Sequence, residues 1–246
     1  MSSANIRISG PTGSGKSAIL ESLAERGEQV LHLEELAKHK GVKDPLTRHA
    51  LVSMLFLGSV LGQYPGQQQP SQKMFETLIF HTLETQFSPS KVVWLENESS
   101  KIGSLIIPLK LWRKMGGSPR VELNVSLEDR VEFILTDYHY LCSTEAREAL
   151  LEILARLERY AGRQRSSHWM ELARSDWYRD LVRDLIVNYY DINYKKPSLP
   201  PVETFSLEKG ILQDKPRLLQ SKLINDLVTF GENSFEKTED KLVVKL

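Results

Sequence analysis

The sequence predicts an α/β fold: a mostly parallel sheet flanked by helices, with a helical C-terminal extension. Three observations carry that expectation. A glycine loop joins a short strand-like run to an amphipathic stretch, further strand-like runs alternate with helical ones, and a 246-residue chain that is 41% hydrophobic fills a core of that size. In chain order, Asn5 to Ser9 is short and half apolar and leads without a linker into Gly10-Pro11-Thr12-Gly13-Ser14-Gly15-Lys16-Ser17. Ala18, Leu20, Leu23 and Ala24 then fall on one helical face, and Gly27 supplies the stop. Gln29 to Leu33 reads as a second strand, followed by a helix-like EELAKHK. Met74, Phe75, Leu78, Ile79, Leu83 and Phe87 recur at helical spacing and end before Ser88-Pro89. Lys91 to Glu96 (KVVWLE) is an apolar run closed by a carboxylate, and Arg120 to Val125 is a further strand. Leu127 to Leu141, Thr144 to Ala161 and Trp169 to Tyr190 read as helices. Strands alternating with helices give a parallel sheet covered on both faces.

After Lys195 to Pro201 (KKPSLPP) the helical signal of RLLQSKLINDLVTF gives way to GENSFEKTEDK, which is too polar to pack. The expected organisation is one domain over residues 1–195 and a tail segment over 196–246 with a partly disordered end.

The charge balance excludes some functions. With 32 basic and 32 acidic residues the net charge is zero, so no global positive field holds a polyanion. No stretch approaches a membrane span and no leader peptide precedes the first strand, so no membrane contact is expected. The single cysteine, Cys142, makes no internal disulfide and reads as a small buried hydrophobe; the expectation is a soluble, cytoplasmic protein.

GPTGSGKS satisfies the eight-residue phosphate-binding pattern in full, within a strand–loop–helix context, so the expected fold is P-loop NTPase-like. Gly10, Thr12, Gly13, Ser14 and Gly15 would turn backbone N–H groups around a phosphate, and the helix N-terminus adds its dipole. Lys16 brings a charge to the outer phosphate, and Ser17 offers a hydroxyl to Mg²⁺, with no other metal site expected. A carboxylate at the end of a second buried strand would hold the metal's water shell. Glu96 and Glu98 are the two candidates.

Four further blocks narrow the field. "GEQVLHLEELAKHKG" (Gly27 to Gly41), "QPSQKMFETL" (Gln69 to Leu78), "VVWLENESSKIGSLIIP" (Val92 to Pro108) and "VNYYDINY" (Val187 to Tyr194) lie in order over about 185 residues with the glycine loop. The chain thereby resembles the C-terminal P-loop domain of tRNA 2-selenouridine synthase, whose blocks read in outline LDLEGLA-HRGS-FG, QPSQK-FE, W-E-ESR-IG and YYDP-Y. The resemblance implies a transferase acting on the wobble uridine of tRNA, which replaces the sulfur of 2-thiouridine by selenium from selenophosphate through an S-geranylated intermediate made from geranyl diphosphate. It implies that the loop holds a nucleotide (ATP or GTP) or geranyl diphosphate, and that Glu34, His39, Lys40, Gln72, Lys73 and Glu76 are motif residues of the site.

The departures from the family pattern bear on activity. The family's N-terminal rhodanese-like domain has no counterpart, since only nine residues precede Gly10, which leaves two versions: a stand-alone half that needs a separate rhodanese-like partner, or a truncated product that keeps only phosphate and tRNA binding. His32 stands where the family has Asp, Lys40 where it has Arg, and Asn97 and Ser100 replace Asp and Arg of the ESR block, removing a bidentate anion clamp. Val42 to Gly58 interrupts the first block; removing it restores HKGSVLGQ. Two readings stand for residues 42–58: an in-frame retained intron beginning on a valine codon, hence a eukaryotic source, or a lineage-specific helix packed on the sheet.

Basic and aromatic residues recur from Arg156 to Arg183, but interleaved acids make most of them a solvated helical face. Gly162-Arg163-Gln164-Arg165 reads as a loop less diluted by acids, making Arg163 and Arg165 the candidate RNA contacts. Tyr189, Tyr190 and Tyr194 fit the last block and equally fit packing, and Arg113 and Arg130 are candidate lid residues over phosphate. Two other function classes remain open: a P-loop small-molecule or nucleoside kinase, and a catalytically silent RNA-binding module.

Overall fold

The computed structural model describes residues 4–38, 69–97, 99–137, 144–194, 199–213 and 221–243. The expectations for His39, Lys40, residues 42–58, Glu98 and Cys142 lie outside the described residues. A five-stranded sheet forms the centre, in the order β2-β3-β1-β6-β7, with every pairing parallel. Its strands are β1 (Asn5–Ser9), β2 (Gln29–Leu31), β3 (Val93–Glu96), β6 (Arg120–Asn124) and β7 (Glu203–Ser206). A small antiparallel hairpin, β4 (Lys101–Ile102) with β5 (Leu105–Ile106), follows β3 and turns at Gly103, whose φ of 61° favours glycine.

Because successive strand residues face opposite sides, the central strands separate two cores. Ile6, Ile8, Trp94, Val121 and Leu123 face helix α1 (Lys16–Glu25), while Val93 and Leu95 face helix α3 (Gln72–Thr85) through Phe75 and Ile79. Helix α2 (Leu33–Leu36) adds Leu33 to the second core. Ser71 caps α3, its hydroxyl accepting from the Met74 amide at 3.2 Å, which satisfies one of the donors a helix start leaves orphaned. Helix α4 (Leu109–Gly116) leads into β6.

Helix α5 (Leu127–Asp137) starts on Ser126, whose hydroxyl accepts from the Asp129 amide at 3.1 Å and donates to the Asp129 carboxylate at 2.6 Å. A helical lobe follows: α6 (Thr144–Arg156), α7 (Glu158–Ala161), α8 (Arg163–Arg174), α9 (Tyr178–Leu185), a π-helical turn over Ile186–Tyr190, and α10 (Asp191–Asn193). The lobe has its own core around Trp169, built from Leu150, Ile153, Leu154, Leu157, Leu172, Leu181 and Leu185.

The C-terminal third departs from expectation. The described residues 199–213 and 221–243, expected as a tail segment, add to the fold: β7 is the edge strand beside β6, and α11 (Lys222–Val243) lays Leu223, Ile224 and Leu227 into the core shared with α1. The polar stretch expected to be loose stays helical to Val243 because Gly231 and the partly buried Phe235 continue the apolar stripe one and two turns beyond Leu227. The ideal Cβ of residue 231 would stand 2.9 Å from Cζ2 of the fully buried Trp94, so only a glycine lets the helix approach this closely. Gly231→Val is therefore expected to destabilise the fold by about 2–3 kcal/mol through overpacking, lowering the urea midpoint without changing its slope. An unchanged midpoint would mean that α11 does not dock on Trp94.

Candidate functional site: the glycine loop and its supports

The loop Gly10 to Ser17 runs from the C-terminal end of β1 to the start of α1, with β3 on one side and β6 on the other. Gly13 and Gly15 adopt φ of 81° and 75°, a left-handed backbone that costs an L side chain about 1–2 kcal/mol. Their surroundings add a second reason for glycine. A Cβ at Gly15 would fall 2.5 Å from Leu212 Cδ2, and one at Gly13 would fall 3.2 Å from the Arg130 carbonyl oxygen. At Gly10 a Cβ would meet the Ser14 hydroxyl at 2.5 Å; that hydroxyl is buried and has no hydrogen-bond partner among the described residues.

Helix α1 begins on Gly15 with no side-chain cap and no acidic residue in its first turn. The orphan N–H groups of that turn therefore make an uncompensated positive helix end at the loop, which favours an anion. Lys16 folds back over the loop: its Nζ donates to the Gly10 carbonyl at 2.9 Å and the Pro11 carbonyl at 3.4 Å, and lies 3.7 Å from Glu96 Oε1. The pairing of Ile8 with Glu96 across β1 and β3 puts this carboxylate on the face that carries α1, so the sheet register itself brings Glu96 to Lys16. Ser17 is the second residue of α1.

The opposite face carries a polar row. Arg7 and Arg120 are register partners, as are Ser9 and Glu122. Arg120 is buried and donates to the Ser9 hydroxyl at 2.7 Å, to Glu122 Oε2 at 2.9 Å and to the Leu199 carbonyl at 2.7 Å. Burial, and secondarily the charge of Arg120, lowers the pKa of Arg7, which donates to Asn97 Oδ1 at 2.8 Å and the Ser118 carbonyl at 2.9 Å. Tyr194 closes this corner. Burial first, then Glu122, raises its hydroxyl pKa, while Arg120 and the Gly10 backbone beside it act in the other direction.

Other motif residues support the scaffold. Gln72 clamps the hairpin from α3: its Oε1 accepts from the Ile106 amide at 2.9 Å and its Nε2 donates to the Ile106 carbonyl at 2.8 Å and to Glu76 at 2.7 Å. Gln69 grips the same hairpin, accepting from Ser104 and donating to the carbonyls of Ala37 and Ile102. The QPSQK block thus holds the hairpin that closes the Val92 to Pro108 block. Lys73 and Glu76 are exposed on α3, and Glu34 lies in the first turn of α2.

Two arginine expectations change. Arg130 is not a lid: it is buried beneath the loop, its Nε donating to the Thr12 carbonyl at 2.7 Å and its two terminal nitrogens to Asp191 at 3.0 and 2.7 Å. Arg113 is exposed in the last turn of α4. Gly162 to Arg165 is not a loop either. Gly162, with φ of 85°, ends α7, and Arg163 opens α8 at once, which places Arg165 in the first turn with its guanidinium on the Asn188 carbonyl at 3.0 Å. Arg179 and Arg183 take their acids from another helix, pairing with Glu128 and Glu132 of α5.

Sequence reasoning missed Asp191, although the carboxylate inside YYDINY was the available signal. Nothing in the sequence pointed to Leu212 or Glu122. Among the described residues no group of three or more His, Cys, Asp or Glu is placed to hold a metal by itself, and no helix is long and apolar enough to cross a membrane.

Comparison with known proteins fixes the family. The family model for the tRNA 2-selenouridine synthase AAA domain matches residues 55–204, which span the hairpin clamp and the helical lobe and end inside β7. A tRNA 2-selenouridine synthase from Pseudomonas putida is 28% identical over 214 residues, covering 77% of this chain and 52% of the relative. One from Cupriavidus pinatubonensis is 31% identical over 161 residues, 65% of this chain and 38% of the relative, and one from Pseudomonas fluorescens is 29% identical over 235 residues, 85% and 58%. The chain spans about half the length of the curated relatives it matches. A solved structure, TT1252 from Thermus thermophilus, aligns over 92% of this chain and 98% of that one at 17% identity with a TM-score of 0.34. With more than half of its 246 residues inside the family model, the chain belongs to the tRNA 2-selenouridine synthase AAA-domain family.

Proposed function

We propose that the chain acts in tRNA uridine modification as the phosphate-loop domain of a tRNA 2-selenouridine synthase, binding a diphosphate between the loop amides and Lys16. The observation that carries this reading is the uncapped start of α1 on Gly15, with Lys16 folded over the loop and Glu96 beside it. The diphosphate belongs to geranyl diphosphate or to a nucleotide, ATP or GTP. With geranyl diphosphate, the thiouridine sulfur bonds to the prenyl carbon as the C–O bond to the diphosphate breaks. Charge then grows on the departing oxygens, where loop N–H groups and Lys16 stabilise it without reorganising.

Mg²⁺ fits the same site. Ser17 would ligate it and Glu96 would hold its water shell, and the ion would neutralise diphosphate charge. The tRNA is the proposed partner, with Arg163 and Arg165 at the start of α8 as backbone contacts beside Tyr160, whose ring lies 4.5 Å beneath the Arg159 guanidinium. Selenophosphate and a separate rhodanese-like protein complete the reaction on this reading.

The test is incubation with thiolated tRNA, geranyl diphosphate and Mg²⁺, followed by mass spectrometry of the nucleosides. A geranylated thiouridine is the expected product. ATP-dependent phosphorylation of a metabolite with unchanged tRNA would replace this reading with a kinase, and tRNA binding without either product would replace it with a silent RNA-binding module.

A further inference from the structure

The support under the loop has a specific geometric consequence. A peptide unit is planar and trans, so the Thr12 carbonyl and the Gly13 N–H point in opposite directions. The carbonyl is fixed downward by Arg130 Nε at 2.7 Å, which aims the Gly13 N–H at the other side of the loop, where the anion is proposed to sit. Nothing in the loop's own chemistry imposes that orientation, because glycine at position 13, with φ of 81°, accepts either one. Arg130 in turn is fixed by Asp191, which takes both terminal nitrogens, and the guanidinium is too buried to find a substitute partner in water. Asp191 stands directly after the π-helical turn that ends on Tyr190, a side chain held in the lobe by edge-on contact with Tyr189, itself edge-on to Trp169. The backbone of Arg130 also walls off Gly13, and its neighbour Asp129 accepts from the Gly210 amide at 3.0 Å, in the segment that seats Leu212 against Gly15.

We propose that Arg130 and Asp191 are positioning residues of the phosphate loop: together they hold the Thr12–Gly13 peptide with its N–H toward the bound diphosphate, which makes the helical lobe part of the anion site. This inference rests on the diphosphate reading above.

The test titrates the full chain with Mg²⁺ and inorganic pyrophosphate, reading affinity by calorimetry and the backbone amide shifts of Gly13, Lys16 and Ser17 by NMR. The wild type is compared with Asp191→Asn and with Arg130→Met/Asp191→Asn, which removes the buried charge along with its partner. Both variants are expected to bind about 10–100-fold more weakly, the loss of one charge-assisted hydrogen bond. The Gly13 amide should lose its pyrophosphate-induced shift while Lys16 and Ser17 keep theirs, a selective change that general loosening does not produce. Where the double variant shows no cooperative thermal transition, Arg130→Lys, which keeps the charge but not the three-bond fork, decides by the same readouts. Wild-type affinity with an unchanged Gly13 shift would overturn the positioning role. A wild type that binds no pyrophosphate would instead overturn the diphosphate reading, and this inference with it.

Discussion

Lys16→Ala is expected to weaken Mg²⁺-pyrophosphate or ATP binding by about 10–100-fold or more while lowering stability by about 1 kcal/mol at most. The two effects separate because Lys16 has little structural work in the ligand-free loop. Its ammonium donates to two carbonyls and stands 3.7 Å from Glu96 in a partly solvated setting, where such pairs contribute about 0–1 kcal/mol. On the proposed reading a bound diphosphate would change the balance: the ammonium would leave the carbonyls for an anionic oxygen, and hydrogen bonds to charged groups are worth about 1.5–3 kcal/mol each. Calorimetry checks the affinity and thermal denaturation the fold. Unchanged affinity with an intact fold would mean that the loop is not a phosphate site, whatever its sequence pattern.

How far the fold was legible depended on whether an element shows its periodicity. β1, α1, β3 and β6 were placed within a residue or two because buried parallel strands are apolar runs and α1 is amphipathic. β7 was missed because an edge strand needs only one neighbour: in Glu203–Ser206 only Phe205 is withdrawn from solvent, which leaves four residues with no apolar alternation. Helix α11 reads as ending early because GENSFEKTEDK is too polar by composition to pack, whereas in space Gly231 lies against Trp94 and Phe235 is partly buried.

The site divides the same way. The loop and Lys16 are a local pattern legible in the sequence, and Glu96 is a strand end legible there as one of two candidates with Glu98. Gln72 was legible as a motif residue but not as a hairpin clamp, since its partner Ile106 lies 34 positions away. Arg130 and Asp191 were the least legible. A lone arginine near a phosphate loop reads as a lid candidate until the fold brings a carboxylate 61 positions distant onto it.

Trp169→Ala tests whether the helical lobe is an independent unit that supports the loop. Trp169 is fully buried at the centre of the lobe's core, edge-on to Tyr189 with ring centroids 6.0 Å apart, and its Nε1 donates to Asp184 Oδ2 at 2.6 Å. Truncation leaves a cavity the size of an indole ring and removes one of the two donors to the half-buried Asp184 carboxylate, which keeps Asn188 Nδ2 at 2.7 Å. Together these should cost about 3–5 kcal/mol, a large share of a typical domain's 5–15 kcal/mol. The damage should be largely local, because the apolar cluster around Trp169 is separate from the sheet's core, which takes only Val182 and Ile186 from this part of the lobe. Hydrogen exchange should accelerate across residues 144–194 while β1, β3 and β6 stay protected. Trp169→Phe isolates the polar part of the effect: the ring still fills most of the volume, and the lost hydrogen bond should cost about 1–3 kcal/mol. Uniform acceleration through the sheet as well would show a single cooperative unit. In that case loss of Trp169 would reach the glycine loop through global unfolding instead of through the turn that carries Asp191.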